Sequence, residues 1–189
     1  MAQRQRLSKE DWVEAALAAI AEGGVPAVAV EPLAARLGAT KGSFYWHFAN
    51  RDALLDAALA RWEARTTTEV IEEITSVADD PEAQLRALIV RVIRAAENDR
   101  VGPALLATAT HPAVADVLTR ATRARIDVIT TLLRRLGFPA DQARHRAVLA
   151  YSAYLGHNQL AHSTPAELPA TKDARRAYLD HVVRVLTAR

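Results

Sequence analysis

The sequence predicts an all-α protein, and three observations support that class. Helix-forming alanine and leucine recur throughout the 189 residues, whereas glycine supplies only seven residues and proline eight. Apolar residues recur at helical spacing, and no segment shows the convincing alternation of a strand. Capping residues and breakers divide the chain into about nine helical segments.

The first three predicted helices are short and follow one another closely. The first covers residues 8–23, with Ser8 as its cap and apolar residues at helical spacing. The second, over 32–38, has a proline near its start and a glycine just past its end, which is the usual asymmetry of helix termini. The third begins at its cap, Thr40, and reaches about residue 48.

Longer segments make up the rest of the chain. The fourth predicted helix extends from its cap, Asn50, without a glycine or proline up to Asp80. A short sixth helix follows Gly102-Pro103, and residues 163–169 are predicted to form a loop. The predicted ranges of the long helices, including the fourth, are 50–77, 80–98, 112–137, 140–162 and 171–189.

Composition excludes several classes of function. The 24 basic and 22 acidic side chains give a net charge of +2, so any binding of nucleic acid must depend on a local surface. The absence of cysteine excludes disulfides, thiolate catalysis and cysteine-ligated metals. No apolar segment is long enough to act as a signal peptide or to span a membrane, so we expect a soluble, cytoplasmic protein without membrane contact.

The third predicted helix concentrates aromatic residues. Four of the ten Phe, Trp and Tyr residues lie between Phe44 and Phe48. On a helical wheel of about 100° per residue these two phenylalanines share one side, which we predict to be buried. An aromatic cluster wholly inside the core is the alternative. The residues that lie on the flanks of this helix, or face away from its buried side, are Gly42, Ser43, Tyr45, Trp46 and His47.

Charge favours an exposed, DNA-facing helix over the core alternative. Residues 32–51 contain no acidic residue but include Arg36, Lys41 and Arg51, for a local charge of +3. An acidic side chain at the start of the third helix would repel a phosphate, so its absence suits contact with DNA. Arg4 and Arg6, ahead of the first helix, could reach a phosphate or a minor groove.

The segment from Gly38 to Phe48, followed by Asn50-Arg-Asp-Ala-Leu-Leu55, closely resembles the DNA-binding domain of TetR-family transcriptional regulators. The resemblance covers about the first 60 residues. It implies a three-helix helix-turn-helix domain over residues 1–50, joined to a larger helical domain over 51–189 that binds an effector and dimerises. The nine-helix segmentation agrees with the family's plan.

The resemblance also implies roles for individual residues. Lys41 and Gly42 would approach base edges, the lysine reaching guanine acceptors. Arg51, at a position where lysine is common, would clamp a phosphate, and Arg36 would add a contact to the DNA backbone. The residues implied to contact phosphates or thymine methyls are Thr40, Ser43, Tyr45, Trp46 and His47.

The family pattern places a small-molecule cavity in helices four to seven and a homodimer interface in helices eight and nine. Small residues such as Ala143, Ala147 and Gly156 permit close approach in the eighth helix, although a fully buried monomeric helix would show the same pattern. Candidate residues for a largely apolar effector pocket are Trp62, Ile93, Leu105, Leu106, Thr110, Tyr151 and Asn158.

The resulting prediction is a repressor released from a near-palindromic operator by a small molecule, with an activator of the same fold as the alternative. Two other classes are a helical enzyme and a purely structural dimer. The six histidines form no metal-binding pair, and no phosphate loop or nucleophile elbow occurs, so we predict no metal site, no cofactor and no catalysis. A structural dimer would leave the aromatic helix unexplained.

Overall fold

The computed structural model describes residues 7–77 and 79–189; for Val77 it describes the backbone alone. Arg4 and Arg6 lie outside the described residues. Within those ranges the chain is helical and contains no strand, which confirms the predicted all-α class. The α-helices, in chain order, are α1 (Lys9–Gly23), α2 (Val30–Arg36), α3 (Lys41–His47), α4 (Arg51–Glu63), α5 (Glu69–Val77), α6 (Pro81–Ala96), α7 (Val101–Ala107), α8 (Pro112–Arg135), α9 (Ala140–Ser163) and α10 (Lys172–Thr187).

The second helix, predicted over 32–38, is α2 (Val30–Arg36), and two further differences from the prediction are larger. The predicted fourth helix is divided by a π-helical segment, Ala64–Thr68, into α4 and α5. Short π segments of this kind insert without a glycine or proline, so no breaker marks this one. The short helix α7 begins at Val101, and Pro103 lies in its first turn, where the missing N–H costs nothing. Short 3-10 turns occupy Val25–Ala27 and Pro165–Glu167.

The predicted caps are confirmed. The Ser8 hydroxyl accepts from the backbone N–H of Asp11, whose carboxylate accepts in return from the Ser8 N–H at 2.7 Å, forming a complete capping box. These bonds lower the pKa of the Asp11 carboxyl. Side-chain caps also begin α3, α4, α6 and α10, at Thr40, Asn50, Asp80 and Thr171.

The first of two compact units contains the described residues from 7 to 65 together with Arg100–Thr119. In it α1 packs against α2, α4 and α7. Its core includes the fully buried side chains of Trp12, Ile20 and Leu54. This compact unit therefore extends beyond residue 50. The boundary of the DNA-binding domain at residue 50 stays a prediction.

The second unit contains Thr66–Asp99 and Arg120–Arg189. Here α6 is the central helix and packs against α5, α9 and α10. The fully buried members of this apolar core include Leu85, Leu133, Ala143 and Ala147. No helix among the described residues combines the length and apolar character needed to cross a membrane.

Candidate DNA-binding surface and ligand cavity

A glycine makes the turn between α2 and α3. Gly38 has a φ of +61°, in the left-handed region that other residues adopt at a cost. The Gly38 N–H donates to Ala35 O at 3.1 Å and the Ala39 N–H to Ala34 O at 2.8 Å, which satisfies carbonyls at the end of α2. The chain thereby turns directly into α3, as a helix-turn-helix requires.

One side of α3 is anchored in the core of the first unit. Phe44 is fully buried, and its ring meets Trp12 edge-on at a centroid distance of 5.4 Å. Phe48 stacks on Phe44 at 5.8 Å and is 4% exposed. The predicted buried side of the helix is confirmed, and these aromatic contacts fix its orientation.

The other side of α3 is exposed. Trp46 is 74% accessible and Tyr45 is 60% accessible, values far above those usual for such large apolar side chains. The neighbouring Lys41 and Gly42 are exposed as well. A Cβ at Gly42 would meet only Thr40 Oγ1, at the ordinary distance of 3.6 Å, so the chain itself does not require glycine there. We call Thr40–His47 the α3 surface.

The cations around the α3 surface are paired with acids that lie outside the acid-free segment. Arg36 makes two 2.8 Å hydrogen bonds with the Glu22 carboxylate, and Lys41 pairs with Glu31 on α2. These contacts lower the pKa of both carboxyls and raise that of Lys41. The local charge of +3 counted along the sequence is therefore largely offset in space.

Arg51 has an internal role. Its Nε donates to Val28 O at 2.7 Å and its Nη2 to Val25 O at 2.9 Å, while Nη1 pairs with Asp52. The guanidinium thus ties the start of α4 to the turn before α2. A phosphate clamp would have to replace some of these bonds, and that predicted role remains untested.

His47 is also engaged. Its Nε2 lies 3.0 Å from the carbonyl oxygen of Leu7, so the ring fixes the chain just ahead of α1. This contact holds Leu7 beside the C-terminal end of α3.

The predicted effector residues are distributed over both units. Trp62, Leu105, Leu106 and Thr110 belong to the first unit, where the side chains of Trp62 and Leu105 are buried. Asn158, in the second unit, is buried and donates to Ala96 O at 3.3 Å, which is a structural role. Ile93 lines a groove of the second unit, and Tyr151 lines a separate, largely apolar cavity of the same unit.

This cavity, about 70 Å³ in volume, has a polar end that the sequence analysis missed. Arg125 donates to the hydroxyls of Thr66 and Thr67, each at 2.9 Å. Tyr151 lies 3.0 Å from the Thr122 hydroxyl and stacks on Tyr154. The apolar wall comprises Val70, Ile71, Leu85, Leu88, Ile89, Val92, Val128, Ile129 and Ala150.

Helical spacing is the signal that could have located Arg125. Ala121, Val128 and Leu132 lie four, three and seven residues from it, so all share the inward side of α8. Burial raises the pKa of the adjacent Tyr154 phenol, while Arg125 opposes that rise. The tyrosine therefore stays a neutral hydrogen-bonding group.

The two C-terminal helices expose apolar side chains. Leu149 on α9 is 57% accessible, and Val148 and Leu160 on the same helix are 43% and 40% accessible. On α10 the exposed large apolar side chain among the described residues is that of Val185, at 47%. Gly156 lies on the same exposed face of α9, and a Cβ atom added there would meet no atom of the described residues within 4 Å, apart from its chain neighbours and the helix backbone around it.

Comparison with known proteins agrees with this geometry. Residues 13–58 match the family described as bacterial regulatory proteins, tetR family. Over 60 residues the chain is 38% identical to the class D tetracycline repressor of Escherichia coli, and the match covers 32% of this chain and 28% of the repressor. The similarity thus spans little more than a quarter of that relative's length.

Solved structures match almost the whole chain. A transcriptional regulator from Rhodococcus sp. Rha1 is 22% identical, with a TM-score of 0.71 over 96% of this chain and 94% of its own. SmeT, the repressor of the Stenotrophomonas maltophilia multidrug efflux pump SmeDEF, is 24% identical, with a TM-score of 0.69 over 97% and 92%. SmeT has also been solved in complex with triclosan. These likenesses establish the fold.

The turn at Gly38, the buried side of α3 and its exposed aromatic side define a helix-turn-helix. The N-terminal residues 13–58 match the tetR family model, and the fold of the chain matches those of solved transcriptional regulators over most of its length. The proteins of that family are bacterial regulatory proteins.

Proposed function

We propose that the chain is a dimeric, ligand-responsive repressor that binds a near-palindromic operator in cytoplasmic DNA. The observation that carries this proposal is the exposure of Trp46 and Tyr45 on a helix whose opposite side is locked into the core. Large aromatic side chains exposed beside a lysine and a glycine suit contact with a partner better than contact with water.

In this proposal the α3 surface enters the major groove. Lys41 and Gly42 meet base edges, the glycine allowing the backbone to come close. Arg36 contacts the DNA backbone, whereas Arg51 acts mainly by holding the turn before α2. The groups proposed to contact phosphates or thymine methyls are Thr40, Ser43, Tyr45, Trp46 and His47.

Glu31 restrains DNA binding in this arrangement. Lys41 must exchange its carboxylate partner for DNA, and Glu31 is left near the phosphates. We expect Glu31→Gln to tighten binding about three- to tenfold at low salt, because each unfavourable charge contact costs on the order of 1 kcal/mol. Fluorescence anisotropy on a labelled operator measures the change.

The control for this prediction is Glu82→Gln, which removes an exposed carboxylate from the second unit. An equal gain in affinity from both variants would reduce the effect to net charge and would remove the specific role of Glu31.

The proposed dimer forms through α9 and α10, the eighth and ninth helices of the sequence analysis. Their exposed leucine and valine side chains, with Gly156 permitting close approach, suit a self-complementary interface. A twofold dimer would place two α3 helices about one turn of DNA apart.

We expect Leu149→Glu to convert the dimer to a monomer, because it buries a charge at the centre of this interface. Analytical ultracentrifugation should show a fall from twice the chain mass to the chain mass. Leu106→Glu, at a leucine of similar exposure on α7, is the matched control and should remain dimeric. A dimeric Leu149→Glu variant would place the interface elsewhere.

The effector is proposed to enter the cavity around Tyr151. Apolar walls with one polar end suit a largely apolar molecule that carries a hydrogen-bonding group, and SmeT binds such a molecule in triclosan. At about 70 Å³ the cavity is well below the 300–1,000 Å³ typical of ligand pockets, so binding must widen it. Release of DNA then follows if the widened form binds DNA less tightly.

Selection of bound fragments from the source genome tests this function. We expect enrichment of one near-palindromic site, retarded in gels by two chains per site, and reduced expression of a reporter placed behind it. Uniform recovery of unrelated fragments would contradict sequence-specific binding. A reporter whose expression rises would make the protein an activator.

A further inference from the structure

A groove of about 590 Å³ lies in the second unit, alongside α6, α10 and the segment that precedes α10. Two ion pairs join the helices: Arg86 with Asp180, and Arg175 with Glu97 at 3.2 Å. Because residue numbers rise along α6 as they fall along α10, the two helices run antiparallel. The groove is as large as typical small-molecule pockets, and it shares no residue with the cavity around Tyr151.

Three cations line this groove without forming an ion pair with any described residue. They are Arg94, which lies along α6 between the two paired residues, and Lys172 and Arg176, which are one turn apart on α10. With the paired groups included, five basic and three acidic side chains line the groove, a net charge of +2. Cations that lack carboxylate partners on facing helices suit an anionic group.

The groove also offers apolar surface and an aromatic floor. Val90, Ile93 and Leu179 supply apolar lining. His157 is 5% exposed and stacks on Tyr178 at a centroid distance of 5.8 Å. Its ring nitrogens are buried and form no hydrogen bond with any residue of the described ranges. Burial lowers the pKa of this imidazole, so the floor adds no positive charge.

We propose that this groove binds an amphipathic organic anion. Arg94, Lys172 and Arg176 hold the anionic group, and the apolar body lies against the lining of α6 and α10. Lys172 and Arg176 lie on a different side of α10 from the exposed Val185, so dimerisation through that face leaves the groove open. The proposal does not depend on DNA binding or on the cavity around Tyr151.

The test uses the fluorescent anion anilinonaphthalene sulfonate and its neutral analogue phenylnaphthylamine. We expect the sulfonate to bind the folded protein at one site per chain. The double variant Arg94→Met/Arg176→Met should weaken that binding at least about tenfold, because two charge-assisted contacts are lost, and should leave binding of the neutral analogue unchanged.

Arg123→Met, at an exposed arginine of α8, is the matched control and should bind the sulfonate like the wild type. Circular dichroism melting confirms that each variant is folded. If the double variant retains wild-type affinity, or if the neutral analogue binds the wild type as tightly as the sulfonate does, the proposal is overturned. His157→Phe, which keeps the ring stack, provides a second folded variant and should not remove sulfonate binding, since the cations hold the anionic group.

Discussion

Replacing Lys41, Tyr45 and Trp46 together by alanine is expected to weaken operator binding about a hundredfold or more, while leaving the fold intact. A good base contact contributes about 1–3 kcal/mol, and losing one such contact together with two aromatic ones accounts for this factor. All three side chains are exposed, so their truncation should change the free energy of unfolding by only about 0.5 kcal/mol each.

Anisotropy titration of the selected operator at fixed salt concentration measures this loss of affinity. The salt dependence of the affinity gives the number of phosphate contacts that the triple variant has lost. Asp56→Ala, at an exposed position of α4, is the control and should not weaken binding. A folded triple variant that binds the operator with wild-type affinity would remove the α3 surface from the proposed interface.

Phe44→Ala is expected to destabilise the first unit by about 3–5 kcal/mol, the usual cost of removing a buried phenyl ring from a packed core. The substitution empties a fully buried position and removes the ring contacts to Trp12 and Phe48. Because these contacts orient α3, DNA binding should be lost with them.

Trp46→Ala is the matched comparison, since it removes a larger ring from the opposite side of the same helix. Its expected effect on stability is below about 1 kcal/mol. Urea titration, followed through the fluorescence of the buried Trp12, compares the two variants. Equal losses of stability would show that the two sides of α3 do not have separate roles.

The features that could be predicted from the sequence are those set by local chemistry. Ser8, Thr40 and Asn50 cap helices because their side-chain oxygens reach backbone N–H groups within the next three residues. The two sides of α3 were predictable because a helix of known period carries two phenylalanines four residues apart.

Features that depend on distant partners could not be predicted. The segment containing Arg36 and Lys41 has no acidic residue, yet Glu22 and Glu31 approach from outside it once α2 is folded. The bonds from Arg51 to carbonyls 23 and 26 residues earlier have no sequence signature.

The cavity around Tyr151 shows the same limit. Its polar end depends on Thr66 and Thr67, which lie in a π-helical segment that no breaker marks. The seven predicted effector residues were selected by residue type, and they lie in both units. Helix packing, which residue type does not reveal, decides which side chains line a cavity.

Acrylamide quenching of tryptophan fluorescence most directly tests the claim that the exposed side of α3 lies against DNA, because Trp46 on that side is itself fluorescent. Trp12 and Trp62 are buried, whereas Trp46 is 74% exposed, so a neutral quencher reports mainly on α3. We predict that saturating operator DNA protects this tryptophan from acrylamide, and that Trp46→Phe removes the DNA-dependent change. Quenching that is unaltered by bound operator would contradict the claim that the exposed side of α3 lies against DNA.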